Sequence, residues 1–480
     1  MQIVKTRTFF FPLCVIVLPL AATSLSGCSY WRAHQARAAY AEYQQAIGAG
    51  DMMHARIALL KLVRTDEDVA DYWIELGKLQ IQLGDYRGAY DAFSHAHELD
   101  RSNVQVLAAL GQLALMSRDV DLAYEKAKNL ALLDPNNPVV TLINGYVSLK
   151  AGDLDKAAAA TDAVLASSPN DSVGRALKAS ILVKQGKTDS AIAILEEQHQ
   201  QVPQDVAAIR ALSQIYRSKS DWLNLARIQS DAYQNDPKSP EIARDYVEAL
   251  LRSGNLQSAA RVSSILLAPS SDTRVTDDIL DLWARFAPSG TKIPNGVELA
   301  KTATSDQRAS FADYYNRTGD PRTAEAILGS SKALNRANAR WNAVIAQSLA
   351  LQGQVVEAKT LFDRVLDREP DQVEALRGRS ALEARTGQAK QAIVDAQRLV
   401  TINPKSGENR ILLAQGYLAA GAKRDVRRTL WQAFQELPDD ERVYAALKNV
   451  LVSAGDNDGA QRLNNELADR RDIALSKELL

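Results

Sequence analysis

Residues 71–100 read DYWIELGKLQIQLGDYRGAYDAFSHAHELD, and the rest of the chain is intelligible once they are understood. Trp73, Leu76 and Gly77 recur at the spacing of one helix face, and Ala89, Phe93 and Ala96 do so again after a break at Gly84-Asp85-Tyr86. A glycine just past a helix takes the left-handed conformation that ends it at little cost. The segment therefore predicts two short helices folded back on each other. A single hairpin leaves one apolar face uncovered, so it needs neighbours.

The neighbours are written at a fixed interval. Glycines fall at Gly50, Gly84, Gly152, Gly186 and Gly254, then at Gly319, Gly353, Gly387, Gly421 and Gly455, in steps of 34 or twice 34 residues within each run. Prolines keep the same period at Pro135, Pro169, Pro203 and Pro237, then at Pro370, Pro404 and Pro438. Between them stand Ala55, Ala89, Ala123, Ala157, Ala191 and Ala259, then Ala324, Ala358, Ala392 and Ala460. Each marker has a mechanical role. Glycine ends the first helix and proline cannot continue the second. Asn137, Asp171, Ser239 and Asp440 follow the proline positions and suit the cap of the next helix. The alanine lets the two helices of a hairpin approach closely.

With Trp73, Leu76, Gly77, Ala89, Phe93 and Ala96 in place, the chain resembles the tetratricopeptide (TPR) family. The likeness returns at 339–372 with Gly353, Ala358, Phe362 and Pro370, although Trp341 stands one place early. The expected fold is all-α: a solenoid of about thirteen helical hairpins in a right-handed superhelix. Between Gly254 and Gly319 the frame slips, and Pro288, Ser289-Gly290, Pro294 and Asn295-Gly296 are turn signals. The expected organisation is an N-terminal array over 37–273, a joint or degenerate repeat over 274–304, a C-terminal array over 305–474 and a tail over 475–480.

The family lines its groove with positions 2, 5, 9 and 12 of each unit. Carried over, the resemblance places Lys78, Gln112, Tyr146, Gln214, Glu248, Gln347, Gln415 and Asn449 at the ninth position, and Arg210, Arg244 and Arg377 at the fifth. Amides there offer both donor and acceptor to a partner backbone. The Lys/Asn/Arg clamp by which some relatives grip a C-terminal carboxylate is absent from this register.

The first residues read as an address. Lys5 and Arg7 precede an apolar stretch from Phe9 to about Ala22, followed by Leu25-Ser26-Gly27-Cys28. The tetrad resembles the bacterial lipobox, which implies a signal peptide over 1–27, lipid on Cys28 and a tether over 28–36. In two-membrane bacteria Ser29 after that cysteine implies export to the outer membrane, facing the periplasm.

Composition narrows the function. The 480 residues carry 57 Lys+Arg against 58 Asp+Glu, a net charge of -1, which supplies no counterion-replacing face for nucleic acid. Cys14 and Cys28 are the two cysteines, so the body has no disulfide framework. His97-Glu98 lacks the second histidine of a zinc-protease motif, because Arg101 stands there. Gly186-Lys187-Thr188 lacks the first glycine of a phosphate-binding loop, whose place Ile181 takes. No catalytic residues, metal or cofactor are expected. The expected role is a membrane-tethered scaffold or adaptor for envelope proteins, in exopolysaccharide synthesis or export by resemblance. Pilus or secretion-system assembly, and direct polysaccharide binding in the groove, are the alternatives.

Overall fold

The computed structural model describes the backbone of residues 22–269, 272–329, 338–438 and 440–478, without the side chains of 22–30, 33, 471–474 and 476–478. Of the expected signal peptide at 1–27, residues 1–21 lie outside the described residues, and so does the side chain of Cys28. Among the described residues there are twenty-six α-helices and no strand. They form two compact units that divide at Pro169/Asn170.

The first unit holds four hairpins: α1 (Ala22–Gly48) with α2 (Met52–Thr65), α3 (Ala70–Gln82) with α4 (Tyr86–Leu99), α5 (Val104–Met116) with α6 (Val120–Leu133), and α7 (Pro138–Lys150) with α8 (Leu154–Ser167). The expected tether at 28–36 is part of α1. The second unit begins with α9 (Ser172–Lys184) and α10 (Thr188–Gln201), α11 (Val206–Ser218) and α12 (Trp222–Asn235), and α13 (Pro240–Arg252) and α14 (Leu256–Leu266). It continues with α15 (Thr273–Phe286) and α16 (Gly296–Thr302), α17 (Ser305–Arg317) and α18 (Pro321–Leu328), and α19 (Ala339–Leu351) and α20 (Val355–Arg368). Three more pairs complete it: α21 (Val373–Arg385) with α22 (Ala389–Ile402), α23 (Gly407–Ala419) with α24 (Lys423–Glu436), and α25 (Glu441–Ser453) with α26 (Asn457–Glu478).

The markers act as the sequence implies. All ten ruler glycines have φ between 71° and 84°. At the two places where the ruler skips, Arg118 (φ 63°) and Ser220 (φ 55°) hold the same left-handed turn without a glycine. The recurring alanines from Ala55 to Ala392 are wholly buried, and Ala460 is nearly so. Asp51, Asp85, Asp119, Asp153, Asp221, Asn255 and Asp320 follow the turn and accept a hydrogen bond from the first turn of the second helix. Gly77 and Gly378 are required by packing, since a Cβ would stand 2.8 Å and 2.4 Å from the rings of Phe93 and Phe362.

The stretch expected as a joint or degenerate repeat is a shortened hairpin inside the second unit. Its turn signals fall in the loop between α15 and the seven-residue α16. Trp283, Ile293 and Ala300 belong to one apolar core that runs from Ala179 to Leu413 and takes in Leu475. The Trp283 indole donates to Ser263 Oγ at 2.9 Å, and the Ile293 amide donates to the Tyr314 hydroxyl at 2.9 Å. The core continues through 274–304, and the two compact units divide at Pro169/Asn170.

Candidate functional site

In the first unit the three sequence-derived wall residues have different surroundings. Lys78 is exposed and donates to Glu75 at 2.8 Å, while Gln112 is half-buried. Tyr146 is only 7% exposed, with Leu142, Ile143 and Leu149 of α7 buried beside it. Its side chain is thus almost entirely covered.

The inner wall of the second unit is built of acid–base pairs that tie its first helices together. Arg340 at the start of α19 reaches Asp277 of α15 at 2.7 Å and Glu374 of α21 at 2.8 Å. Arg377 of α21 reaches Asp313 of α17 at 3.2 Å and Glu408 of α23 at 3.4 Å. Arg317 of α17 meets Asp281 of α15 at 2.5 Å. Burial alone would raise the Asp281 carboxyl, but Arg317 and Arg285 outweigh it and hold the group below its ordinary value. Burial likewise opposes the Arg377 charge, and Asp313 and Glu408 overcome it so that its pKa is raised. Arg377, expected as an open groove contact, is thus a strut. The second-position residues Arg340, Glu374, Glu408 and Arg442 recur every 34 residues and are all charged. That recurrence of charge at one register position is legible in the sequence.

Three expected residues do come together. Gln347, Arg377 and Gln415 line a cleft of about 590 Å³ across α19, α21 and α23. Its lining includes Ala350, Gly378, Ala381, Ala384 and Ala419, and Leu351, Leu412 and Leu418 supply apolar area. Leu351 is 42% exposed and Leu418 58%. Small residues admit close approach of another backbone, and the leucines offer apolar contact once there. The Oε1 of Gln347 is buried and accepts no hydrogen bond among the described residues, an unsatisfied acceptor that costs about 1–3 kcal/mol until a donor arrives.

Gln214 and Glu248 line a second cavity of about 320 Å³, with Arg217, Arg252, Glu441, Tyr444, Leu467 and Leu475. Arg252 lies 4.2 Å from the Trp222 ring centre and 3.8 Å from that of Phe286, and it pairs with Glu441 at 3.0 Å across 189 residues of sequence. Burial would raise Glu248, but Arg217 and Arg252 hold it below its ordinary value. Arg210 and Arg244 are exposed on α11 and α13, and Asn449 is exposed on α25. The histidines form no shared centre: His95 lies against Trp73 at 4.5 Å, and His199 meets Asp231 at 2.9 Å. Among the described residues no group of three or more His, Cys, Asp or Glu side chains is placed to hold a metal, and no helix is long and apolar enough to cross a membrane.

Family models for the tetratricopeptide repeat match residues 70–103 and 344–407, and the model for the Psidin N-terminal TPR repeats region matches 142–270. Among solved structures, the yeast Tom70 is 11% identical and shares 93% of this chain and 96% of its own, with a TM-score of 0.32. The APC/C hetero-tetramer Cut9-Hcn1 is 11% identical over 96% of this chain and 99% of that one, TM-score 0.31. MamA from Desulfovibrio magneticus RS-1 is 18% identical over 37% of this chain and 96% of its own, TM-score 0.28. No curated relative matches the chain. The chain carries TPR-type repeats in an all-α solenoid, a fold that is typically non-catalytic and that serves protein–protein interaction.

Proposed function

We propose that this protein is a lipid-tethered adaptor that docks envelope proteins of a bacterial polysaccharide synthesis or export system. The cleft on α19, α21 and α23 carries the reading. A small-residue lining flanked by exposed leucines and an unsatisfied Gln347 acceptor is suited to an amphipathic helix rather than to a sugar, which would call for stacked aromatics and converging hydroxyl partners. The pre-paired charges of the inner wall leave little net field, so recognition there rests on shape and apolar contact. A lipid on Cys28 would confine the array to one membrane surface and raise its local concentration near membrane-bound partners.

The test places a photo-crosslinking amino acid at Gln415 in the cleft, or at the exposed Val394 on α22 as a control, in living cells. The expected result is a discrete envelope protein captured from Gln415 and not from Val394, and lost from the membrane fraction with Cys28→Ser. Equal capture from both sites, or capture of glycan alone, would overturn the docking assignment. Unchanged membrane attachment of Cys28→Ser would overturn the tether.

A further inference from the structure

The last helix is longer than its role as a hairpin partner requires. The second helices of the regular hairpins span 14 residues, whereas α26 spans 22, about 33 Å at 1.5 Å per residue. Its first half does the ordinary work, since Ala460 and Leu463 are buried with Val443, Leu447 and Leu451 of α25. Leu475, about 18 Å farther along the axis, belongs to a different core. It is 6% exposed within the cluster that contains Leu212 and Ile215 of α11. Consistently, α26 packs against α9 and α11 as well as α25. Leu467 and Leu475, eight residues apart and so on one apolar stripe, line the same cavity as Gln214, Arg217 and Ser218 of α11. The far end of α26 thus lies against the inner face of helices more than 250 residues earlier, and the Arg252–Glu441 pair bridges the same two regions.

From this placement we infer that the inner face of α9 and α11 is a helix-docking site, and that the chain's own C-terminal helix is its resident occupant. The inference extends the adaptor reading to a second place on the wall and states what a partner must bring there. The fitting partner is an amphipathic helix with aliphatic residues at i and i+8 whose polar flank meets Arg217, Glu248 and Arg252. Such a partner competes with a segment tethered at an effective concentration on the order of millimolar, so the site answers only to a helix that is itself tightly bound or locally concentrated.

The experiment uses the full chain and a labelled synthetic peptide of residues 464–480. Leu475→Asp puts a carboxylate into an apolar seat and should expel the end of α26, while Leu475→Met should keep it. Trypsin cleavage after Arg470 and Arg471 should be at least tenfold faster in Leu475→Asp than in the parent or Leu475→Met, with circular dichroism unchanged. The peptide should bind Leu475→Asp at least tenfold more tightly than it binds the parent, by fluorescence anisotropy, and slow amide exchange in α11. Equal cleavage rates, equal affinity for both chains, or no binding to either would overturn the inference. None of these outcomes touches the crosslinking from Gln415, so failure here leaves the α19–α23 cleft to be judged separately.

Discussion

Arg118 offers a clean measure of what the ruler glycines contribute. Its amide donates to Leu115 O at 2.9 Å and the Asp119 amide to Ala114 O at 2.9 Å. Gly84 and Asp85 make the same pair of bonds to Ile81 O and Gln80 O at 3.0 Å and 2.8 Å. The turns are equivalent, yet one is held by arginine at φ 63°. A residue with a Cβ in this region costs about 1–2 kcal/mol. Replacing it with glycine adds back about 0.4–1 kcal/mol of unfolded-chain entropy. Arg118→Gly should therefore stabilise the α5–α6 hairpin by about 0.5–1 kcal/mol. Gly152→Ala is the mirror experiment: a Cβ there meets nothing within 4 Å, so its cost, about 1 kcal/mol, is backbone alone. Repeat arrays unfold locally, so the assay is native-state amide exchange in α5 to α8 rather than a single melting temperature. Protection in α5 and α6 should rise about 2- to 5-fold in Arg118→Gly, and protection in α7 and α8 should fall about 5-fold in Gly152→Ala. Faster exchange in the first variant, or no change in the second, would refute the assignment of these turns as the period-setting element.

Gly378→Ala should cost about 1–3 kcal/mol, because its Cβ would stand 2.4 Å from the Phe362 ring; proteolytic resistance of the α20–α21 region reads it, and Phe362→Leu should relieve part of the loss. Ala358 is wholly buried, and Ala358→Leu should destabilise its hairpin by about 1–3 kcal/mol in local exchange. Arg252→Lys should weaken the second unit although charge is kept, since the stacking between Trp222 and Phe286 and the fork to Glu248 and Glu441 need a planar guanidinium; amide exchange at the end of α13 is the readout. Glu248 and Asp281 titrate below their unfolded values of 4.5 and 3.8, so their contribution is present above those values and is lost as the pH falls through the lower folded ones. Glu383, raised by burial against the pull of Lys359, works in the opposite sense and favours the fold on acidification. Acid weakening of the second unit should be smaller in the double variant Glu248→Gln/Asp281→Asn, followed by circular dichroism, with Asp440 left to contribute in the same sense.

The period was legible because its markers act locally. Gly84 ends a helix and Ala89 fits a close crossing in any repeat that contains them. Arg118 and Ser220 explain why the ruler appeared to skip: the turn is fixed by the carbonyls of the preceding helix, and a non-glycine can be forced into it. The 274–304 stretch carries breakers that fit a joint or a degenerate repeat alike, and the burial of Trp283 and Ile293 in the common core depends on residues outside it, which no local signal announces. The same limit applies to the candidate site. Gln347 and Gln415 could be placed on one wall from register, whereas the strut role of Arg377 depends on Asp313, two hairpins earlier.

The two kinds of wall in the second unit divide the labour between shape and recognition. Where Arg340, Arg377 and Arg317 join first helices to acids one or two hairpins away, each pair fixes the angle between successive repeats. Breaking one would leave a partly buried charge unpaired, which resists a change of curvature. Where Ala350, Ala381, Ala384 and Ala419 take over, the side chains between the Arg377–Glu408 pair and the leucines are small and uncharged. On the α19–α23 cleft a partner gains apolar burial against the alanines and leucines beside the Arg377–Glu408 pair, without having to break it, and can offer a donor near Gln347. The proposed choice of the cleft thus rests on what is already paired and what is small, and it does not depend on the identity of the partner.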